Sequence, residues 1–292
     1  MTPKYIDIHA HVNFSAFDAD RDGVIKRALE NETWMMNVGT QKDTSQSAVD
    51  LARKYPEGVY AAVGLHPIHT SKSFHDKQEL GEPPFAKAAR QLADGASEGQ
   101  GMVLGFTSRE EVFDYDFYKK LASDPKVLAI GECGLDYYRL EPETAAKQKE
   151  SFIAQIELAL ELGKPLMLHI RNAYGEALEI LRARPGARGD VHFFAGTLDE
   201  AREFLDLGFT LSFTGVITFA RDYDEIIRNT PLDMILSETD CPYVAPAPFR
   251  GKRIEPSYVS EVVKKIAEIK NLDFEICRTA LLQNALSFAN IH

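Results

Sequence analysis

Short, continuously apolar stretches recur along the chain at residues 5–9, 34–38, 59–64, 127–131, 165–169, 190–194, 209–213 and 234–238. Runs this short, with little polar alternation, fit strands buried on both faces, as in a parallel sheet covered by helices. Between them lie segments of helical period or composition at 20–32, 44–55, 144–162, 174–184, 199–207 and 222–229, and two more, 255–269 and 274–289, close the chain. Strand and helix in alternation predict an α/β fold, a (β/α)8 TIM barrel. The strand ends of such a barrel converge on one mouth, so residues far apart in sequence can surround one site.

One interval breaks the rhythm. From His69 to Pro125 the chain is too long for an ordinary crossover. Its polar run 71–81, helical stretch 85–92 and glycine-rich stretch 95–101 read as a long insertion after the third strand, about 71–112, before a helix at 116–122 returns the chain to strand four. The insertion is expected either over the barrel mouth, like a lid, or at the periphery. Residues 1–292 are otherwise expected to form a single barrel domain, with no internal repeat.

Composition narrows the function classes. With 292 residues and 45% hydrophobic content the chain can bury a substantial core. Its three cysteines, Cys133, Cys241 and Cys277, are odd in number and widely spaced, which fits a reducing compartment. Neither a signal-peptide run nor an 18-residue apolar stretch is present, so the expected location is cytoplasmic, away from membranes. A formal charge of −11 argues against nucleic-acid binding through a general basic face. Phosphate chemistry remains open, because bound divalent cations supply positive charge locally. No feature points to an obligate protein partner.

The candidate chemistry sits at strand ends. In Asp7-Ile8-His9-Ala10-His11 the period of two lets His9 and His11 project together toward one ion, and imidazole donors suit Zn or Mn better than a calcium-type oxygen cage. Asp7 shares their parity and is expected to orient His9 from deeper in the strand. Glu132, in Gly131-Glu132-Cys133-Gly134-Leu135-Asp136-Tyr137, can bridge two cations through its two oxygens. Alternation turns Cys133 away from it, into the core; Asp136 and Tyr137 are expected to shape the loop or touch substrate. His169 and His192 each interrupt an apolar strand and would be costly to bury without a partner, which metal coordination provides. Asp240, after the eighth strand, can ligate a metal and accept a proton from water, and Glu238 is placed to orient a ligand from below. For each residue alone the ordinary alternative is a hydrogen-bonded core histidine or a turn carboxylate; it is the joint occurrence that favours a metal site.

The expected metal ligands are therefore His9, His11, Glu132, His169, His192 and Asp240. Asp240, Glu132 and His66 are the expected catalytic residues. Substrate contacts are expected from His66, from Arg171 as a forked phosphate donor, and from the basic cluster Arg250, Lys252 and Arg253.

These motifs together resemble the TatD family of metal-dependent deoxyribonucleases, within the amidohydrolase-like barrels. The likeness rests on Asp7-x-His9-x-His11, Gly64-Leu65-His66-Pro67, the stretch from Gly131 to Tyr137, His169-Ile170-Arg171, Glu238-Thr239-Asp240-Cys241-Pro242-Tyr243 and Arg250-Gly251-Lys252-Arg253. It covers almost everything outside roughly 71–112. The resemblance implies that His9, His11, Glu132 and Asp240 hold one metal while Glu132, His169 and His192 hold the other. It further implies 3'-5' exonuclease activity on DNA, commonly with magnesium; the histidine-rich donor set leaves the two expected divalent ions open between Mg, Mn and Zn, and RNA or a small phosphoester stays open as substrate. Two positions depart from the family's usual pattern: His192-Phe193-Phe194-Ala195-Gly196 where it has His-Cys-Phe-(Ser/Thr)-Gly, and Asn172 where it has an acidic residue. The competing readings are a hydrolase of small cyclic amides, lactones or phosphoesters, and a noncatalytic protein preserving the barrel. Glu132 in place of a bridging lysine weighs against the cyclic-amide chemistry, and the complete ligand set weighs against loss of catalysis.

Overall fold

The short apolar runs become strands of one parallel sheet, ordered as they occur in the chain. The computed structural model describes residues 2–71, 110–138 and 144–291. The strands are β1 (Tyr5–Ala10), β2 (Thr33–Val38), β3 (Val59–Val63), β4 (Val127–Asp136), β5 (Leu166–Arg171), β6 (Gly189–Val191), β7 (Thr210–Phe213) and β8 (Ile235–Ser237), each paired with the next. A parallel bridge between Ala10 and Cys241 brings the chain beyond β8 back against β1. Around it, the Asp240 amide donates to the His9 carbonyl and the His11 amide to the Cys241 carbonyl, both at 2.9 Å. Strand closure and metal-type motifs thus share the same few residues.

Helices cover the outside, as the hydrophobic runs require: α1 (Arg21–Glu30), α2 (Lys42–Ala52), α3 (Tyr115–Ala122), α4 (Thr144–Leu162), α5 (Tyr174–Arg182), α6 (Leu198–Asp206), α7 (Asp224–Asn229), α8 (Val259–Lys270) and α9 (Phe274–Phe288). The main core lies between strands and helices and includes Phe17, Tyr118, Phe152, Phe204 and Phe209, all fully buried or nearly so. A second cluster joins Ile6, Ile8, Met36, Val38, Ala62, Ala129, Met167 and Leu236, from six different strands, with Leu282, Ala285 and Phe288 of α9. Side chains from six strands meet in one cluster most directly on the inside of the barrel, so the interior is packed rather than hollow.

The elements follow the sequence pattern closely, with three instructive shifts. β4 runs on to Asp136 because its pairing with β5 slips between Ile130 and Cys133 and then resumes with Cys133 opposite Leu168 and Gly134 opposite His169. β6 stops at Val191, so His192 lies just beyond the strand, where Phe193 takes a left-handed backbone (φ +46°). α8 begins at Val259, after a 3-10 turn over Pro256–Tyr258, because proline fits a first turn and interrupts a helix interior. The insertion expected at about 71–112 falls almost wholly outside the described residues, as does its helical stretch.

Candidate metal centre

The irregularity in β4 places Glu132. A Cβ on Gly131 (φ +150°) would lie 2.4 Å from the Met167 carbonyl oxygen, and one on Gly134 (φ +139°) 2.1 Å from that of His169. Only glycine allows β4 to press this closely on β5 and turn the Glu132 carboxylate into the mouth. Its two oxygens then face different neighbours. Oε2 lies 3.5 Å from His9 Nε2 and 4.0 Å from His11 Nε2, whereas Oε1 lies 3.0 Å from His169 Nδ1, 3.5 Å from His192 Nε2 and 3.4 Å from His66 Nε2. Asp240 joins the first side, its Oδ1 3.4 Å from His11 Nε2 and 3.9 Å from His9 Nε2. Six predicted ligands, contributed by β1, β4, β5 and the ends of β6 and β8, are therefore brought to one buried cluster.

The ring nitrogens show what each imidazole can do. His11 turns Nδ1 to the Val38 carbonyl (2.9 Å), His192 turns Nδ1 to Glu238 Oε1 (3.0 Å) and His169 turns Nε2 to Asp136 Oδ2 (3.0 Å). A ring that gives one N–H to an oxygen presents the other nitrogen's lone pair, here toward Glu132 or Asp240, which is how metal-binding histidines are held. His66 differs. Its Nδ1 accepts the Ile68 amide (3.2 Å), capping the 3-10 turn Pro67–Thr70, so in the neutral ring Nε2 carries the proton. Although His66, Glu132 and His169 lie close enough to hold an ion, this tautomer makes His66 a donor rather than a ligand.

The cluster suits divalent ions. The sets His9–Glu132–His192 and His9–His11–Asp240 each bring ligand atoms within 4.8 Å of one another. Two imidazole nitrogens about 2.0–2.1 Å from one zinc-type ion stand roughly 3.0–3.4 Å apart, and His9 Nε2 and His11 Nε2 are 3.1 Å apart. Mixed imidazole and carboxylate donors fit Zn or Mn, and carboxylates with water fit Mg.

Charge balance in the mouth is tight. Burial pushes the Glu132 carboxyl up, but His66, His9 and His169 outweigh it and hold the group well below its usual range. Burial likewise disfavours protonated His192, yet the Glu238 carboxylate overrides it and raises the ring to about 10. His11 and His169 are raised against burial, by Asp240 and by Asp136 with Glu132 respectively. Burial, then the neighbouring His192, lowers His9; burial, then His169, lowers His66 to about 4. Asp240 stays low because His11, His192 and His9 outweigh its burial.

Several supports differ from the sequence expectation. Asp7 does not touch the His9 ring: Oδ1 accepts the backbone amides of His9 (3.3 Å) and Thr239 (2.9 Å), and Oδ2 accepts the Thr239 hydroxyl (2.5 Å). It therefore ties β1 to the chain after β8, because β1 slips in register between Asp7 and Ala10 and its parity changes. Asp136 does more than shape a loop, since it fixes His169. Glu238 does lie behind a histidine, His192, and its other oxygen accepts the Ser212 hydroxyl (2.9 Å). Cys133 is fully buried in the core, as alternation predicts.

Two contributors were missed. On α4, Gln155 accepts the Leu65 amide (2.8 Å) and donates to the Leu65 carbonyl (3.0 Å), while Gln148 does the same for Asp136 at 2.8 and 3.0 Å. Both are buried, and their seven-residue spacing puts them on one helix face. The available signal was two glutamines on the face that should carry apolar residues.

A cavity of about 640 Å³ opens over the cluster, lined among the described residues by Phe14, His66, Tyr138, Arg171, Phe193, Tyr223 and Tyr243 as well as the acidic and imidazole groups. Of the expected substrate cations only Arg171 lines it, its guanidinium 3.7 Å from the Tyr138 ring centroid. The basic cluster is directed elsewhere. Arg253 is forked onto Asp20 at 2.8 and 2.6 Å and bonded to the Ala16 carbonyl, Arg250 lies over Phe219, and Lys252 is exposed. An oppositely charged neighbour already satisfies Arg253, and none of the three lines this cavity.

Comparison with known proteins agrees with this geometry. The family described as TatD related DNase matches residues 6–290. The "uncharacterized metal-dependent hydrolase YabD" of Bacillus subtilis is 35% identical over 285 residues, covering 96% of each chain. The "3'-5' ssDNA/RNA exonuclease TatD" of Erwinia billingiae is 32% identical over 278 residues, covering 90% of each. Among solved structures, YJJV, a TatD homologue of Escherichia coli K12, superposes with a TM-score of 0.78 at 24% identity over 100% of both chains, a likeness of fold. The family match across nearly the whole chain, joined to the barrel and its ligand cluster, shows that this chain belongs to the TatD related DNase family of metal-dependent hydrolases.

Proposed function

We propose that the chain hydrolyses phosphodiesters in two-metal fashion, removing nucleotides from the 3' end of single-stranded DNA, with RNA as a second substrate. The observation that carries this reading is the division of Glu132: one oxygen toward His9 and His11, the other toward His169 and His192. We assign His9, His11, Glu132 and Asp240 to one ion and Glu132, His169 and His192 to the other. Two such ions supply electrophilic activation of the phosphate and of the attacking water.

The protein's own groups do the rest. Asp240, held ionised by its histidine neighbours, takes up the proton released by the attacking water. His66 gives its Nε2–H to a phosphate or leaving-group oxygen, a role that its tautomer permits and direct ligation would not. Arg171 offers a planar fork to a phosphate oxygen and is steadied by its contact with the Tyr138 ring. The names of the relatives support a nucleic-acid substrate, since one is called an ssDNA/RNA exonuclease.

A substrate panel tests the reading. Metal-loaded protein should shorten a 3'-ended oligonucleotide and leave lactones and cyclic amides intact, and Asp240→Asn should abolish turnover while keeping the fold. Near-normal phosphodiesterase activity in Asp240→Asn would remove Asp240 from its role; preference for a lactone or cyclic amide would overturn the substrate assignment.

A further inference from the structure

Phe193 occupies a position that its backbone does not favour. Its φ of +46° lies in the left-handed region, where bulky side chains are outliers and glycine or asparagine fits more easily. The cause is local. The Phe193 amide and the His192 Nδ1 both reach one oxygen of Glu238, at 2.8 and 3.0 Å, and the chain must turn sharply to deliver both. Phe194 turns inward and is fully buried, whereas Phe193 stays partly exposed in the wall of the mouth cavity. An aromatic ring at a strained turn, not swallowed by the core, contributes little to folding that a smaller residue could not.

Its surroundings say what the ring can hold. The Phe193 ring stands roughly perpendicular to that of His192, centroids 6.0 Å apart at 82°, and so lies beside the reaction centre. On the neighbouring strand end, the Arg171 guanidinium carbon lies 3.7 Å from the centroid of the Tyr138 ring, also in the cavity wall. A guanidinium for phosphate and a partly exposed aromatic ring for a base, in the wall of one cavity, make the pairing that grips single-stranded nucleic acid without reading its sequence. A pocket of about 640 Å³ is of small-ligand size and has room for an unpaired nucleotide.

We infer that Phe193 is the stacking platform for the base next to the scissile phosphate, and so a determinant of the enzyme's preference for unpaired 3' ends. This rests on the phosphodiesterase reading above. The test uses the full chain loaded with Mn²⁺ and two single-stranded oligonucleotides, one ordinary and one with base-free tetrahydrofuran residues at its last two 3' positions. Phe193→Ala and Phe193→Gly should each lose about tenfold in kcat/KM on the ordinary oligonucleotide, the scale of one lost base–aromatic stack, and Phe193→Trp should retain activity. On the base-free end the wild type should fall by a similar factor and Phe193→Ala no further. Phe193→Gly should melt at or above the wild-type temperature, since it relieves the left-handed turn. The inference is overturned if Phe193→Ala matches wild type on ordinary DNA, if it loses as much on the base-free end, or if Phe193→Gly melts far below wild type, which would mark a packing role. Absence of wild-type cleavage on both oligonucleotides would instead sink the phosphodiesterase reading, and this proposal with it.

Discussion

Glu238→Gln separates a residue that tunes the metal centre from one that merely fills space. The glutamine is isosteric, so the contacts to His192, Phe193 and Ser212 can persist in shape, but the charge behind His192 is gone. In the metal-free protein that charge raises His192 to about 10 from an ordinary 6.5, against the pull of burial. At pH 8 the wild-type ring therefore carries a proton that an incoming ion must expel, whereas in Glu238→Gln only Glu132 and Asp240 still favour that proton against burial. Metal binding at pH 8 should release fewer protons in the variant, by up to about one. Affinity should fall by roughly 10- to 100-fold, as expected when the partner behind a ligating imidazole is lost. The stability sign follows from the same shift. A raised histidine stabilises the metal-free fold below about 6.5, and the contribution is lost as pH rises through about 10; Glu238→Gln should lack that loss. Calorimetric titration of Zn²⁺ into chelator-stripped protein, in two buffers of different ionisation enthalpy, gives the proton count directly. An unchanged count with unchanged affinity would refute the proposed link between Glu238 and His192.

The other predictions test different parts of the site. Arg171→Ala should raise KM for an oligonucleotide roughly tenfold with metal content unchanged, and Arg171→Lys should recover only part of it because lysine lacks the fork; unaltered KM would exclude Arg171 from phosphate binding. Gly134→Ala should destabilise by about 2 kcal/mol or more, read in denaturant unfolding, because its Cβ would meet the His169 carbonyl at 2.1 Å. Gln155→Leu leaves both Leu65 backbone groups without their partner, so it should cost roughly 1–3 kcal/mol and lower kcat through a displaced His66 while metal content holds. Asp190, raised to about 8 by burial and then by Glu238, favours the fold in its protonated form, so that contribution declines as pH climbs from the ordinary carboxylate range through 8. Asp190→Asn should therefore compare better with wild type at pH 8.5 than at pH 5 in thermal melts; a constant difference would count against the shift.

The barrel was legible because its strands are buried on both faces and written as short apolar runs, each separated by a helix-length interval. That the six expected ligands would gather at one end of the barrel was legible for a related reason: polar residues at the ends of such runs have few other ways to be satisfied. What escaped the sequence involves departures from regular period. A register slip in β1 moved Asp7 from the His9 ring to Thr239, and one in β4 brought Glu132 and Asp136 to opposite sides of His169. Gln148 and Gln155 sit on a helix face that periodicity marks as buried, but only their partners reveal that they fix Asp136 and Leu65. That the basic cluster stands outside the cavity was not legible either, because proximity along the chain carries no direction, and Arg253 finds Asp20 from a distant segment.

The central claim is that a centre divided about Glu132 cleaves phosphodiesters from a 3' end. Its most direct test follows a 5'-labelled single-stranded oligonucleotide through time with chelator-stripped protein reloaded with Mn²⁺, beside Glu132→Gln treated identically. The expected result is a ladder shortening one nucleotide at a time from the 3' end, slowed at least about a hundredfold in Glu132→Gln. A ladder of equal rate in Glu132→Gln, or no shortening by the metal-loaded wild type, would contradict it.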